Sequence, residues 1–244
     1  SFLMASSAAH MTPQERTSSF SLASIFALRM FGLFIILPVF AVYARELPGG
    51  DSETLVGITL GIYGLTQGLL QIPFGVASDR LGRKPVIIFG LIIFALGSFL
   101  AASGANIWIV MLGRMLQGAG AISAAVTAFI ADSVRVQVLT KAMAMVGASI
   151  GLTFALSLLI SPPLTKLWGV SGLFTLTGIS ALIAVLVVKF VVPPAPQSAI
   201  DEKNEHRSWR KVVCDPQLVR LNIGIFVLHA VLTAIFVVIP TRLV

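Results

Sequence analysis

Gly75-Val-Ala-Ser-Asp79-Arg80-Leu-Gly82-Arg83-Lys84-Pro85 is the stretch on which the reading of this chain turns. It separates two long apolar runs, 54–77 and 85–103, and it is too short to be anything but a tight turn between them. Asp79 falls near the C-terminal end of the preceding run. If that run is a helix, its dipole disfavours a carboxylate there, so Asp79 needs a cation, and Arg80 and Arg83 are in reach. Gly82 permits the turn. Pro85 suits the first position of the helix that follows.

Working outward, five more apolar runs of similar length flank this pair, at 20–44, 107–131, 141–165, 170–192 and 218–241. About 20 mostly apolar residues cross a bilayer as a helix. In lipid each segment must satisfy its own backbone polar groups, which leaves helices or closed barrels. Barrel strands are shorter and alternate in polarity, and these runs do neither. Of the 244 residues, 57% are hydrophobic and only 11% charged. Soluble domains carry about a quarter charged residues, so lipid is the solvent this composition fits. The mean hydropathy of +0.96 says the same.

The net charge of +7 is not the signature of nucleic-acid binding, because the cations sit in short segments between apolar runs. Most of them fall on one side: Arg16, the Arg80 turn, Arg135, Lys141, Lys189 and the basic residues from Lys203 to Arg220. The other side holds Arg45, Lys166 and Arg242. This bias predicts a cytoplasmic N-terminus. Residues 1–19 then form an N-terminal cytoplasmic segment without a cleavable signal pattern. Residues 20–192 form a six-helix bundle. The polar stretch 193–217, which opens Pro-Pro-Ala-Pro, is a cytoplasmic linker, and 218–244 is a seventh helix. Trp209 reads either as an interfacial anchor or as part of a solvated tether. Cys214 has no internal partner and is expected as a reduced thiol. The chain stops just past its seventh helix, so we expect a fragment whose second bundle lies beyond Val244.

The turn at 75–85 resembles the loop signature of the major facilitator superfamily, G-x-x-x-D-R-x-G-R-K-P. Arg114-Met-Leu-Gln117-Gly118-Ala-Gly120 is similar to that family's R-x-x-Q-G element, and Gly32 to Pro38 to its first-helix element. The resemblance covers residues 12–244 and points to the drug:proton antiporter branch. The runs 27–32, 61–67 and 71–75 narrow it to one type of bacterial inner-membrane transporter. It implies an all-α membrane fold of two six-helix bundles with a substrate cavity between them. This chain would supply the whole first bundle and the first helix of the second. The antiporter element of the fifth span is only partly present. Gly147 and Gly151 stand, but Ser161-Pro162 replaces Gly-Pro, and Thr165-Lys166 replaces Gly-Gly.

The resemblance also implies that Asp132, at the end of the fourth span, joins Gly75, Asp79, Arg80, Gly82, Arg83 and Lys84 in a cytoplasmic gating cluster that locks an outward-facing state. On a helical wheel Gly57, Gly61, Gly64, Gly68 and Gly75 share one face of the second span, with Gln71 beside them. Such a stripe admits close helix approach. It reads as a sliding contact against the second bundle in preference to static packing within the first. Tyr63, Gln67 and Gln71 drift toward the cavity side.

Arg29 and Arg114 are charges at membrane depth, each costing at least about 2.5–3.5 kcal/mol on insertion scales. They face a wet cavity or snorkel to an interface. Gln117 shares a face with Arg114, which favours a polar network. No Asp or Glu lies mid-span, so His229 is the titratable candidate for proton transfer, or else a packing residue.

An enzyme reading is disfavoured: the sequence carries no glycine-rich phosphate loop, no metal-ligand cluster and no nucleophile paired with a histidine. No cofactor is expected. The expected partners are a small-molecule substrate, protons, the lipid bilayer and the second bundle. The expected function is secondary active efflux of amphipathic compounds coupled to protons. Transport of a sugar or metabolite by the same fold, or a non-transporting fragment or scaffold, are the alternatives.

Overall fold

The computed structural model describes residues 10–195 and 216–243, and every regular element in them is a helix. In chain order these are α1 (Pro13–Phe34), α2 (Leu37–Ala44), α3 (Glu53–Leu81), α4 (Arg83–Ser103), α5 (Ile107–Ala119), α6 (Ser123–Ser133), α7 (Val136–Phe190) and α8 (Pro216–Leu243). The stretches α1–α2, α3, α4, α5–α6 and α7 are each long and apolar enough to cross a membrane. Trp209, Cys214 and most of the linker lie outside the described residues. For His229 the described structure gives only its place in α8.

The helices start where capping chemistry allows. Thr12 caps α1 by accepting from the Glu15 amide at 3.2 Å, while the Glu15 carboxylate accepts from the Thr12 amide at 2.8 Å. Pro13 occupies the first turn, where its missing N–H costs nothing. The first helix therefore begins ahead of the apolar run at 20.

Two expected single spans are each a pair of helices. The run 20–44 bends at 35–36 because Pro38 has no N–H to give Phe34. The Val39 amide turns instead to Ile36 at 3.3 Å, which frees the Ile35 carbonyl. Ser161 donates to that carbonyl at 2.6 Å. The run 107–131 breaks at 120–122, where the chain crosses α4 too closely for side chains. A Cβ on Gly120 would lie 2.4 Å from the Gly90 carbonyl, and one on Gly90 would lie 2.3 Å from Ile122.

The runs 141–165 and 170–192 are two helices that meet at Gly169 within α7, the first beginning at Val136. A straight helix of all 55 residues of α7 would run about 80 Å, far beyond a hydrocarbon core of about 30 Å. Gly169, at φ 68°, folds it back on itself. The fold is visible in the packing: Val138 near its start and Val188 near its end share one core cluster. The expected loop at 166–169 shrinks to this one residue. The turn after α3 shrinks likewise. Gly82 alone, at φ 98°, separates α3 from α4, so Pro85 is the third residue of α4 and not the first.

The bundle has two apolar cores, one at each end. Leu22, Ile25, Ile87, Phe129, Val138 and Val188 pack in one. Ile35, Phe40, Leu60, Ile107, Val110 and Phe174 pack in the other. Tyr63, Phe94, Ala95 and Ala181 form a thin layer between them. Arg29 and Arg114 fall at this depth.

Candidate functional site

The turn between α3 and α4 is built around one guanidinium. Arg83 Nη1 lies 2.7 Å from Asp79 Oδ1 and donates to Ser78 Oγ at 2.6 Å. Its Nε donates to Asp132 Oδ2 at 2.8 Å, reaching across to the end of α6. The two carboxylates differ in kind. The side chain of Asp132 is 9% exposed and that of Asp79 54%, against 8% for Arg83. Removing one partner from a buried pair costs about 3–5 kcal/mol, because a buried charge is left unmatched. An exposed pair contributes about 0–1 kcal/mol. Asp132 is therefore the structural anchor of the cluster. Arg80 is exposed. Lys84 Nζ donates to the Val192 carbonyl and so ties the turn to the end of the sixth span. Gly75 comes within ordinary contact of Ala124, 3.8 Å from where its Cβ would stand.

A third ion pair at the same end was not visible in the sequence. Arg135 binds Glu15 through its main-chain N at 3.0 Å, Nε at 2.8 Å and Nη2 at 3.1 Å. The same Nη2 reaches the His10 carbonyl at 2.8 Å. Glu15 lies in the first turn of α1, outside the apolar run. The hydrogen bond from the Arg135 side chain, outweighing the upward push of burial, holds its carboxyl down to about 2.

The arginines at membrane depth do not snorkel, and they do not open onto a cavity in the described structure. Arg29 is 1% exposed and Arg114 0%. Arg29 Nε donates to the Gly120 carbonyl at 3.2 Å and Nη1 to Ser123 Oγ at 3.4 Å, stitching the broken fourth span to the first. Arg114 Nη1 donates to Gln117 Oε1 at 3.0 Å. Gln117 Nε2 passes the chain to Ser98 Oγ at 2.8 Å, and Ser98 ends it on the Phe94 carbonyl at 2.8 Å. The network that the Arg114–Gln117 spacing suggested is present, and Ser98 completes it.

Both guanidiniums lie against Tyr63, with Arg114 Cζ 4.7 Å and Arg29 Cζ 5.7 Å from the ring centroid. Arg29 also lies 5.6 Å from that of Phe94. Desolvated contacts of this type contribute about 2 kcal/mol each. That is less than the several kcal/mol per ion needed to take a charge out of water.

Tyr63 is thus a buried part of this layer, not a residue of an open cavity wall. Gln67 and Gln71, further along α3, are half-buried. Gly57, Gly61, Gly64 and Gly68 face open space, since a Cβ at any of them would meet nothing within 4 Å. The same holds for Gly147 and Gly151 on α7. The glycines that do serve close packing inside the bundle are others. A Cβ on Gly118 would lie 2.2 Å from the Tyr63 carbonyl, and Gly97 and Gly113 meet where α4 crosses α5. Among the described residues, no group of three or more His, Cys, Asp and Glu side chains is placed to hold a metal ion.

A bundle of helices long and apolar enough to cross a membrane, closed at one end by charged turns, is the architecture of a multi-pass membrane protein. The chain belongs to the major facilitator superfamily: the Major Facilitator Superfamily profile matches residues 22–244. It is 45% identical over 235 residues to the inner membrane transport protein YajR of Escherichia coli strain K12, covering 96% of this chain and 52% of that protein. A tetracycline resistance protein of class B from Escherichia coli is 35% identical over 127 residues, covering 51% of this chain and 32% of the relative. Among solved structures, the human organic anion transporter MFSD10 (TETRAN) superposes with a TM-score of 0.66 at 18% identity, covering 75% of this chain and 49% of that one. That likeness establishes the shared fold. The chain spans about half the length of the YajR protein it matches.

Proposed function

We propose that this chain is the first bundle of a secondary active transporter of a bacterial inner membrane, with its N-terminus in the cytoplasm. It exports small amphipathic compounds in exchange for protons as two bundles rock about a shared cavity. The observation that carries the reading is Arg83 held between Asp79 and Asp132, at the turn joining the second and third spans. Charges so placed gain strength as a closing cytoplasmic face excludes water, since Coulomb energies rise as the local dielectric falls. Two further observations support it. The open glycine face of α3 and the open Gly147 and Gly151 of α7 leave room for a second bundle to approach closely. The partial match to a tetracycline resistance protein supports export of a drug-like compound. Because no carboxylate lies mid-span here, the proton is carried by His229 or by the second bundle.

The test is reconstitution of the full-length gene product in liposomes under an imposed pH gradient. Addition of an amphipathic substrate should collapse the gradient in proportion to substrate moved, and Asp79→Asn should abolish both movements while leaving membrane insertion intact. Substrate movement that ignores the gradient would overturn proton coupling. Wild-type transport by Asp79→Asn would overturn the gating role.

A further inference from the structure

We infer that the layer between the two apolar cores is an anion site, in which Arg29, Tyr63 and Arg114 hold one small anion: a halide ion or the carboxylate of a small organic molecule. The inference stands apart from the direction and coupling of transport, because it concerns binding alone.

Donor arithmetic is the first support. A guanidinium carries five N–H donors and no acceptor. Arg29 spends Nε on the Gly120 carbonyl and Nη1 on Ser123, and Arg114 spends Nη1 on Gln117. Arg29 Nη2, Arg114 Nε, Arg114 Nη2 and the Tyr63 hydroxyl are buried with no hydrogen-bond partner among the described residues. Buried polar groups are ordinarily paired, and orphans are few. Here four orphan atoms fall on three neighbouring side chains, since both guanidiniums lie against the Tyr63 ring. Every unmet group can donate, so the missing species is an acceptor.

Charge is the second support. Each acceptor these arginines do reach is neutral: a main-chain carbonyl, a hydroxyl and an amide. Neither arginine forms an ion pair among the described residues. The carboxylates Asp79, Asp132 and Glu15 are committed at the charged end of the bundle. Two cations buried at one depth, with only neutral acceptors and ring faces near them, leave a net positive layer. Such a layer attracts an anion and repels a second cation.

Rigidity is the third. Gln117 cannot swing to relieve Arg114, because its nitrogen is fixed on Ser98 and Ser98 is fixed on the Phe94 carbonyl. Arg29 is held on both sides of the fourth-span break. The unmet edges of the two guanidiniums are therefore preorganised, which is what favours ligand binding over local rearrangement.

The experiment is thermal unfolding of the purified full-length transporter in detergent at constant ionic strength. Sodium HEPES, with its bulky sulfonate, is exchanged stepwise for sodium chloride in one arm and for sodium acetate in the other. A ligand that binds only the folded state raises Tm with its concentration. The expected result is a saturable rise of about 2–4 °C in at least one arm at tenfold excess over its half-saturation point. The arm that saturates at lower concentration identifies a halide or a carboxylate. Tyr63→Phe keeps the stacked ring and removes one donor, so it should raise the half-saturation concentration by about fivefold. Arg114→Gln should abolish the rise. No saturable rise in either arm for the wild type would overturn the inference and assign the layer to water or to a carboxylate from elsewhere in the protein. A rise with an unchanged midpoint in Tyr63→Phe would overturn it equally, by placing the anion at another site.

Discussion

Ser161 donates its hydroxyl to the Ile35 carbonyl at 2.6 Å, across 126 residues of chain, at the bend of the first span. The carbonyl is free because the amide that would normally reach it, that of Val39, turns to Ile36 in response to Pro38. In lipid no water is available to take its place. Ser161 is fully buried. It is also the position at which the sequence departs from the Gly-Pro expected of the antiporter element. The departure therefore supplies a function: it caps a kink.

Ser161→Ala strands that carbonyl, and an unsatisfied buried acceptor costs about 1–3 kcal/mol. The expected outcome is a Tm several degrees below wild type in detergent, and a larger fall for Ser161→Gly, which loses the same bond and adds helix-interior backbone entropy. Unchanged stability in Ser161→Ala would show that the bend does not depend on this bond.

The two carboxylates around Arg83 should separate in a double-mutant cycle. Arg83 and Asp132 are both nearly buried, while Asp79 is more than half exposed. Asp132→Asn is expected to destabilise the fold by about 3 kcal/mol and Asp79→Asn by about 1 kcal/mol or less. The coupling energy of Arg83 with Asp132 should exceed that with Asp79. Equal couplings would contradict the burial difference. Asp79→Asn is then the cleaner probe of gating, because it changes the charge cluster while sparing the fold.

The seven apolar runs and the charged turn were legible because composition and short-range spacing carry them. Gln117 was placeable beside Arg114 for the same reason: residues three apart share a helix face. The two bends were not legible as helix ends. Pro38 signals a weakness, but the break at Gly120 arises from the close crossing with Gly90 of α4, a contact no local pattern encodes. The pairing of Glu15 with Arg135, 120 residues apart, is equally silent in sequence. The arginines illustrate the limit most clearly. Their depth was readable, but their convergence on Tyr63 required the packing of four spans.

The Glu15–Arg135 pair sets a pH dependence of known sign. Arg135 holds the Glu15 carboxyl down to about 2, from an ordinary value of 4.5. A depressed folded-state value contributes stability above the unfolded value, and that contribution is lost as pH falls toward the folded one. Wild type should therefore exceed Glu15→Gln in stability at pH 5 and above, and the difference should shrink between pH 4.5 and about 2. Unfolding of both proteins across that range reads the effect directly. A difference that grows on acidification would reverse the assigned sign.

The glycines of α3 and α5 should behave in opposite ways on substitution. A Cβ at Gly61 meets nothing within 4 Å, whereas one at Gly118 would lie 2.0 Å from Thr66 Oγ1 and 2.2 Å from the Tyr63 carbonyl. Thr66 could turn away, but a main-chain carbonyl cannot. Alanine at an open helical position removes the backbone entropy of glycine and stabilises by about 0.5–1 kcal/mol. Overpacking a tight crossing costs about 1–3 kcal/mol. Gly61→Ala should thus hold or raise Tm and Gly118→Ala should lower it. In the full-length transporter Gly61→Leu should leave Tm near wild type yet slow transport, if the open face of α3 meets a second bundle at close range. Full transport by Gly61→Leu would show that this face stays clear of any partner through the cycle, and the glycine stripe would then need another explanation.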